Sequence, residues 1–333
     1  MPRNASHRHP RYATGRIIGA HARERASPAT VGEAIEACAR ELTRARVHFG
    51  HGTDNARDEA AELVFFVAHL DHARGAGAYA LPLNGRQRAR IAVLLARRIR
   101  ERAPLAYLTH RAFFAGLQLY VDDRVLVRRS PIAELILARF RPWIDPRRVR
   151  RIADIGTGSG AIALACARAF ARARVDALDI SGPALSVCRR NIRRLALGAR
   201  VRALRSDHLD AVRGTRYDIL VSNPPYVGRA EMRRLPPEYR HEPASGLAAG
   251  RDGLDSVRII LRQARAHLRD RGILVVEVGN TERTLQRAFP RLPFLWPMFE
   301  HGGGGVFVLR AQDLDEADVS VSAVARRAKR GRQ

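Results

Sequence analysis

Between residues 149 and 278 short apolar runs alternate with amphipathic stretches, and that alternation leaves few folds open. The runs 149–155, 175–180, 201–204, 217–221 and 272–278 are rich in Val, Ile and Leu. They are too short for core helices and too continuous for half-exposed strands, so each reads as a strand buried on both faces. The stretches 161–171, 183–197 and 254–268 carry apolar residues at helical spacing. Strands that alternate with helices predict an α/β unit with a parallel sheet covered on both sides. A short helix over 282–288 and the run Gly302 to Gly305 before 306–309 predict a closing hairpin with an antiparallel last strand.

In such a sheet the ligand sits beyond the carboxyl ends of the strands, so the residues there carry the functional argument. The first strand runs into DIGTGSG, Asp154 to Gly160. Gly156, Gly158 and Gly160 let the backbone turn sharply and approach a ligand, and Ile155 and Thr157 complete that loop. Dinucleotide sites share a glycine pattern of this kind. The acids point elsewhere: Asp154 precedes the first glycine, Asp179 closes the second strand and Asp207 follows the third. They suit an ammonium, a ribose and an adenine amino group in turn. S-adenosylmethionine has all three and lacks the phosphates that a helix N-terminus would hold.

The fourth run ends in SNPPY, Ser222 to Tyr226. Asn223 offers a side-chain carbonyl, and Pro224, lacking an N–H, offers only its backbone carbonyl. Pro225 stiffens the loop and Tyr226 adds a flat ring. Together they suit a planar –NH2 group held between two acceptors against an aromatic face. The same tetrapeptide also suits a plain Asx-Pro turn.

The chain of 333 residues is long enough for two domains. Residues 1–27 read as a disordered basic extension. Residues 28–102 read as a small helical domain: Thr30 with Glu33 predicts a capping box, and helices follow over 30–42, 56–69 and 84–102. In the third, Ile91, Leu94, Leu95 and Ile99 face a core, and Arg90, Arg97, Arg98 and Arg100 are expected to face water or a partner. Residues 103–128 read as a hairpin-like linker, with Ser130 and Pro131 placed to start the next helix. The second domain spans 129–311, and 312–333 read as a disordered basic tail.

The net charge of +26 admits a nucleic-acid or ribonucleoprotein partner. Lys329 is the only lysine among 59 basic residues, however, and so uniform a use of arginine also fits a compositional bias. Three scattered cysteines, Cys38, Cys166 and Cys188, argue against a disulfide framework and for a reducing, cytoplasmic setting. No Cys/His spacing suggests a metal site.

From about Thr30 to Leu309 the chain resembles the bacterial protein-glutamine N(5)-methyltransferases, which combine DxGTGSG, a following acid, SD and NPPY. Within that family it resembles the branch that modifies large-subunit ribosomal protein L3, through FGHGTDNARDEA, APLAYLTHRAFF, VLVRRSPIAELI, EYRHEPASGLAAGRDGLD, VVEVGN and FEHGGGGVF. The resemblance implies a helical substrate-recognition domain on a seven-stranded, Rossmann-like methyltransferase domain. It implies Asn223 and Pro224 as the catalytic acceptors, with Pro225 and Tyr226 completing the substrate site. Asp154, Ile155, Gly156, Thr157, Gly158, Gly160, Asp179, Asp207, His208 and Asn223 would hold S-adenosylmethionine. The chain departs from the branch at Arg128, which replaces a proline, at Gly156, which replaces a common cysteine, and at His208, which replaces an apolar residue beside the expected adenine. Other readings stand beside this one: a release-factor glutamine methyltransferase, an adenine amino-group methyltransferase, and a non-enzymatic RNA-binding assembly protein.

Overall fold

The structure is a computed structural model and describes residues 29–127, 130–300 and 302–315. The basic extension 1–27, Arg128, Arg129 and the tail from 316 lie outside the described residues.

The first helix starts where the sequence places it. The Thr30 hydroxyl accepts the Glu33 N–H, and the Glu33 carboxylate accepts the Thr30 N–H, closing the predicted capping box. Asn84 and Gln87 repeat the device at the third helix. Helices α1 (Val31–Arg44), α2 (Ala56–Ala68) and α3 (Gly85–Glu101) bury one face each around Ile35, Leu42, Leu63, Val64, Ile91 and Leu94. A short α4 (Leu105–Thr109) follows Pro104, and strands β1 (Ala112–Phe114) and β2 (Leu117–Leu119) pair antiparallel as the expected hairpin. Helix α5 (Ile132–Leu137) begins just past Pro131, with the Ser130 hydroxyl accepting the Ile132 N–H at 3.3 Å.

The sheet contains β3 (Arg151–Ile155), β4 (Arg174–Asp179), β5 (Val201–Arg205), β6 (Tyr217–Ser222), β7 (Leu268–Glu277) and β8 (Val306–Arg310). Their order is β5-β4-β3-β6-β7-β8, parallel except for β8, which pairs antiparallel with β7. Helices α6 (Ala161–Ala169) and α7 (Gly182–Arg194) connect the first three strands. Short helices α8 (Arg229–Met232) and α9 (Ala244–Leu247), then α10 (Asp255–His267), lie between β6 and β7, and α11 (Glu282–Ala288) follows β7. One core layer joins α5, α6 and the hairpin to one face of the sheet, and a second packs α10 on the other. The α/β class therefore stands as expected, with one difference. At the seventh-strand position a single residue, Leu295, exchanges backbone hydrogen bonds with Val308 at 3.1 and 2.8 Å. Pro293 and Pro297 flank it, and neither has an N–H to extend the ladder. At the other boundary, Ala311 and Leu314 are buried against the second layer, so the fold runs past the expected tail boundary at 312.

The helical half is tied to the sheet half by buried charge. Arg98 is 1% exposed; its Nε donates to Glu59 at 2.6 Å, its Nη2 donates to the His48 carbonyl at 2.7 Å, and its Nη1 lies 3.5 Å from Glu238. Glu238 is wholly buried and also accepts the His48 N–H at 2.9 Å and Arg102 Nη1 at 3.4 Å. Burial opposes its ionisation, but the His48 N–H and the two guanidinium groups outweigh this and hold its pKa below the ordinary glutamate value. Close by, the Tyr239 ring packs on His51, and His51 Nε2 lies 3.6 Å from Glu242. The sequence strings around FGHGTDN and EYRHEP thus meet in one buried junction. Arg98 is corrected from a surface residue to its centre. Arg97 is paired with Glu101, and Arg90 and Arg100 are exposed with no carboxylate partner among the described residues. No helix among the described residues is long and apolar enough to cross a membrane.

Candidate active site

A cavity of about 320 Å³ opens at the carboxyl ends of β3, β4, β5 and β6, the crevice where open α/β sheets bind ligands. Its volume lies in the range of small-molecule sites, roughly 300–1,000 Å³. Of the predicted residues, Ile155, Gly156, Thr157, Gly158, Asp179, Asp207, His208, Asn223, Pro224 and Pro225 lie on its wall.

The glycine loop is held from below. Asp154 is fully buried behind the loop and does not line the cavity. Its Oδ2 accepts the Thr157 hydroxyl at 2.5 Å and the Ala163 N–H at 3.0 Å. Burial pushes its carboxyl up to about 7 against the pull of those two donors. Its Oδ1 is buried with no hydrogen-bond partner among the described residues. Gly156 and Gly158 have φ of 74° and 54°, and a Cβ on either would point into open space. They leave the loop backbone bare towards the cavity. Gly160 does something different: a Cβ there would stand 2.8 Å from Cys188 Sγ, so it lets α6 approach α7 and is not on the cavity wall.

Asp179 accepts the Gly158 N–H through Oδ2 and the Ser181 N–H through Oδ1, both at 2.8 Å. Burial raises its pKa against those two bonds. Beside it Ile180 is 58% exposed, a large aliphatic group left bare on the cavity wall. Asp207 is committed to its neighbour: His208 Nδ1 lies 2.6 Å from Asp207 Oδ1, and His208 Nε2 lies 2.7 Å from the Ser256 hydroxyl. This relay closes that end of the cavity, and it exists because His208 replaces the apolar residue expected there.

The NPPY loop leaves β6 at Ser222, whose hydroxyl donates to the Ile155 carbonyl at 2.6 Å and fixes the loop base to β3. Asn223 is half-buried on the cavity wall, and its side-chain amide pairs with no described residue. Tyr226 is not on that wall. Its ring lies against Gly279 and its phenol donates to Glu277 at 3.2 Å.

Sequence reasoning missed the wall contributed by the linker and by the segment after NPPY: Phe114, Arg124, Leu126, Ser130, Ser245 and Ser256. Only Ile180 left a signal, an apolar residue directly after a strand-end acid. Arg124 is the one arginine among the described residues on the wall, and Asp122 neutralises it through bonds of 2.9 and 2.5 Å. That pairing holds the Asp122 carboxyl down at about 2.

A bare glycine loop, an exposed aliphatic face and, among the described wall residues, no unpaired cation suit a ligand with a ribose and a base better than one with phosphates. Fold and cavity together define an α/β methyltransferase. The methyltransferase small domain model matches residues 133–235. A ribosomal protein uL3 glutamine methyltransferase of Xylella fastidiosa (strain Temecula1) is 43% identical over 296 residues, 89% of this chain and 95% of that protein. The enzyme of the same description from Francisella tularensis is 40% identical over 275 residues, 82% of this chain and 88% of that protein. The chain belongs to the ribosomal protein uL3 glutamine methyltransferase family. A solved methyltransferase from Pyrococcus furiosus is similar at a TM-score of 0.42 and 21% identity, over 59% of this chain and 89% of that one.

Proposed function

We propose that the protein methylates the side-chain amide nitrogen of a glutamine in ribosomal protein uL3, with S-adenosylmethionine as donor. The observation that carries this reading is Asn223, an amide side chain on the cavity wall that no described residue engages, next to the backbone carbonyl of Pro224.

When bound, S-adenosylmethionine supplies an electrophilic methyl group. The Asp179 carboxylate, its position set by the Gly158 and Ser181 N–H groups, has lone pairs left for ribose hydroxyls. Ile180 offers an apolar face to the adenine, and Asp207 with His208 bounds its edge. Asp154, beneath the loop and off the wall, supports the glycine loop through the Thr157 hydroxyl and the Ala163 N–H.

The remaining work falls to the NPPY loop. An amide nitrogen is a poor nucleophile because its lone pair is delocalised into the carbonyl, and no side-chain base is strong enough to deprotonate it first. The Asn223 and Pro224 carbonyls accept its two N–H groups, which turns the nitrogen's face towards the cavity. Positive charge develops on that nitrogen, and the two preorganised acceptors stabilise it. Methylation makes the nitrogen acidic, and the proton then leaves to solvent.

The test is methyl transfer to purified uL3, to a release factor and to total RNA, with the modified residue located by mass spectrometry. One added methyl on a glutamine side chain of uL3 supports the reading, and transfer confined to RNA or to the release factor sinks it. Asn223→Ala should lower turnover by about a hundredfold while leaving cofactor affinity in place.

A further inference from the structure

The acid at the end of β7 has no role in the reaction described above, and its surroundings point to one. Glu277 is 3% exposed. Its Oε1 accepts the Tyr226 phenol at 3.2 Å, and its Oε2 accepts the Ser130 hydroxyl. Ser130 lies on the cavity wall, and its oxygen also accepts the Ile132 N–H at the start of α5. One buried carboxylate therefore joins the cofactor wall to the loop carrying Asn223 and Pro224.

Tyr226 is confined on two further sides. Gly279 has φ 49°, and a Cβ there would stand 2.5 Å from Tyr226 Cε2. A Cβ on Gly253 would stand 2.4 Å from the Tyr226 carbonyl oxygen. The ring, the phenol and the backbone of Tyr226 each have their own stop, two residues beyond Pro224.

We infer that Glu277 is a positioning residue for the amide site: by accepting the Tyr226 and Ser130 hydroxyls together, it sets the loop against the cofactor wall. This rests on the reading of Asn223 and Pro224 given above. A carboxylate gives each hydroxyl its own acceptor oxygen, so both can donate inward. A glutamine has one such oxygen, so one of the two hydroxyls would have to turn and accept from the –NH2. Glu277→Gln thus replaces two charge-assisted bonds by weaker neutral ones, one of them reversed, and keeps the volume.

The experiment measures kcat and KM on uL3, S-adenosylmethionine affinity by calorimetry and melting temperature, for Glu277→Gln, Tyr226→Phe and the double variant. Each single change should lower kcat on the order of tenfold, because small displacements of a reacting group are costly. Cofactor affinity should stay within about twofold. The double variant should be no slower than the slower single, because the groups act as one unit. Ser130→Ala reports on the same carboxylate if Glu277→Gln proves unstable. Wild-type kcat in Tyr226→Phe, effects that multiply, or cofactor affinity that falls in step with kcat would each overturn the assignment. If the wild-type enzyme leaves uL3 unmodified, the functional reading fails instead, and the same variants are read on the substrate it does methylate.

Discussion

Replacing Arg98 by methionine tests the junction between the helical half and the sheet. The side chain keeps an unbranched apolar stem but is shorter and loses the guanidinium. Glu59, 2% exposed, then keeps only the Thr53 hydroxyl at 3.2 Å, and Glu238 keeps the His48 N–H and the longer contact to Arg102. The His48 carbonyl loses its donor at 2.7 Å. Removing one member of a buried ion pair costs about 3–5 kcal/mol, since a charge is left in a medium that cannot solvate it. The contacts that survive place this case near the lower end, about 3 kcal/mol. On a scale of roughly 2–4 °C per kcal/mol, melting should fall by about 6–12 °C. Glu238 ionises more readily in the fold than in an unfolded chain, so its contribution is present above the ordinary glutamate range and is lost as pH falls through its lowered folded value. The gap between wild type and Arg98→Met should therefore close under acid conditions. Thermal melts of both proteins at neutral and acid pH make the measurement. A variant that melts within about 2 °C of wild type at neutral pH refutes the argument, because it would mean water reaches these charges.

Three further outcomes are expected. Asp179→Ala should weaken S-adenosylmethionine by about 1.5–3 kcal/mol in calorimetry, the scale of a bond to a charged group, with the fold intact; unchanged affinity would place the ribose elsewhere. Burial raises the Asp154 carboxyl from 3.8 to about 7, so its folding contribution is fully present below the unfolded value and is lost as pH rises through the folded one; Asp154→Asn should flatten the stability profile across that window, and a profile unchanged by the substitution counts against the assignment. If ribosomal RNA helps dock the substrate, an RNA-containing particle should be methylated faster than free uL3 at low salt, and the advantage should shrink as salt rises; a faster rate on free uL3 at every salt concentration would leave the arginine excess as composition.

What the sequence made legible was whatever a short window encodes. The five parallel strands, the helices between them and the closing antiparallel strand follow from periodicity, and the glycine loop and NPPY follow from backbone constraints at strand ends. The cavity wall from Phe114 and Leu126 depends on how the linker folds back over the sheet, which no local pattern states. Strand-end acids usually face the ligand, which is the expectation for Asp154; the fold turns it beneath its own loop, onto Thr157 and Ala163. Arg98 is legible by the same helical period. It lies seven residues after Ile91 and four after Leu94, on the stripe that those residues bury, and a charge on a buried stripe calls for a buried partner. Glu59, four residues before Leu63 on α2, is that partner.

The junction built on Arg98, Glu238 and Glu242 also bears on how this architecture can be inherited. A helical module joined through apolar contacts could be exchanged for another of similar shape with little penalty. Here the module carries cations whose counter-charges lie beyond NPPY, on the stretch that continues into Pro243 and Ser245 of the cavity wall. A transplanted module without Arg98 and Arg102 would strand Glu238 in the interior. The two halves are therefore obliged to vary together, and new substrate preferences should arise by changes on the outer faces of the helices sooner than by exchange of the whole module.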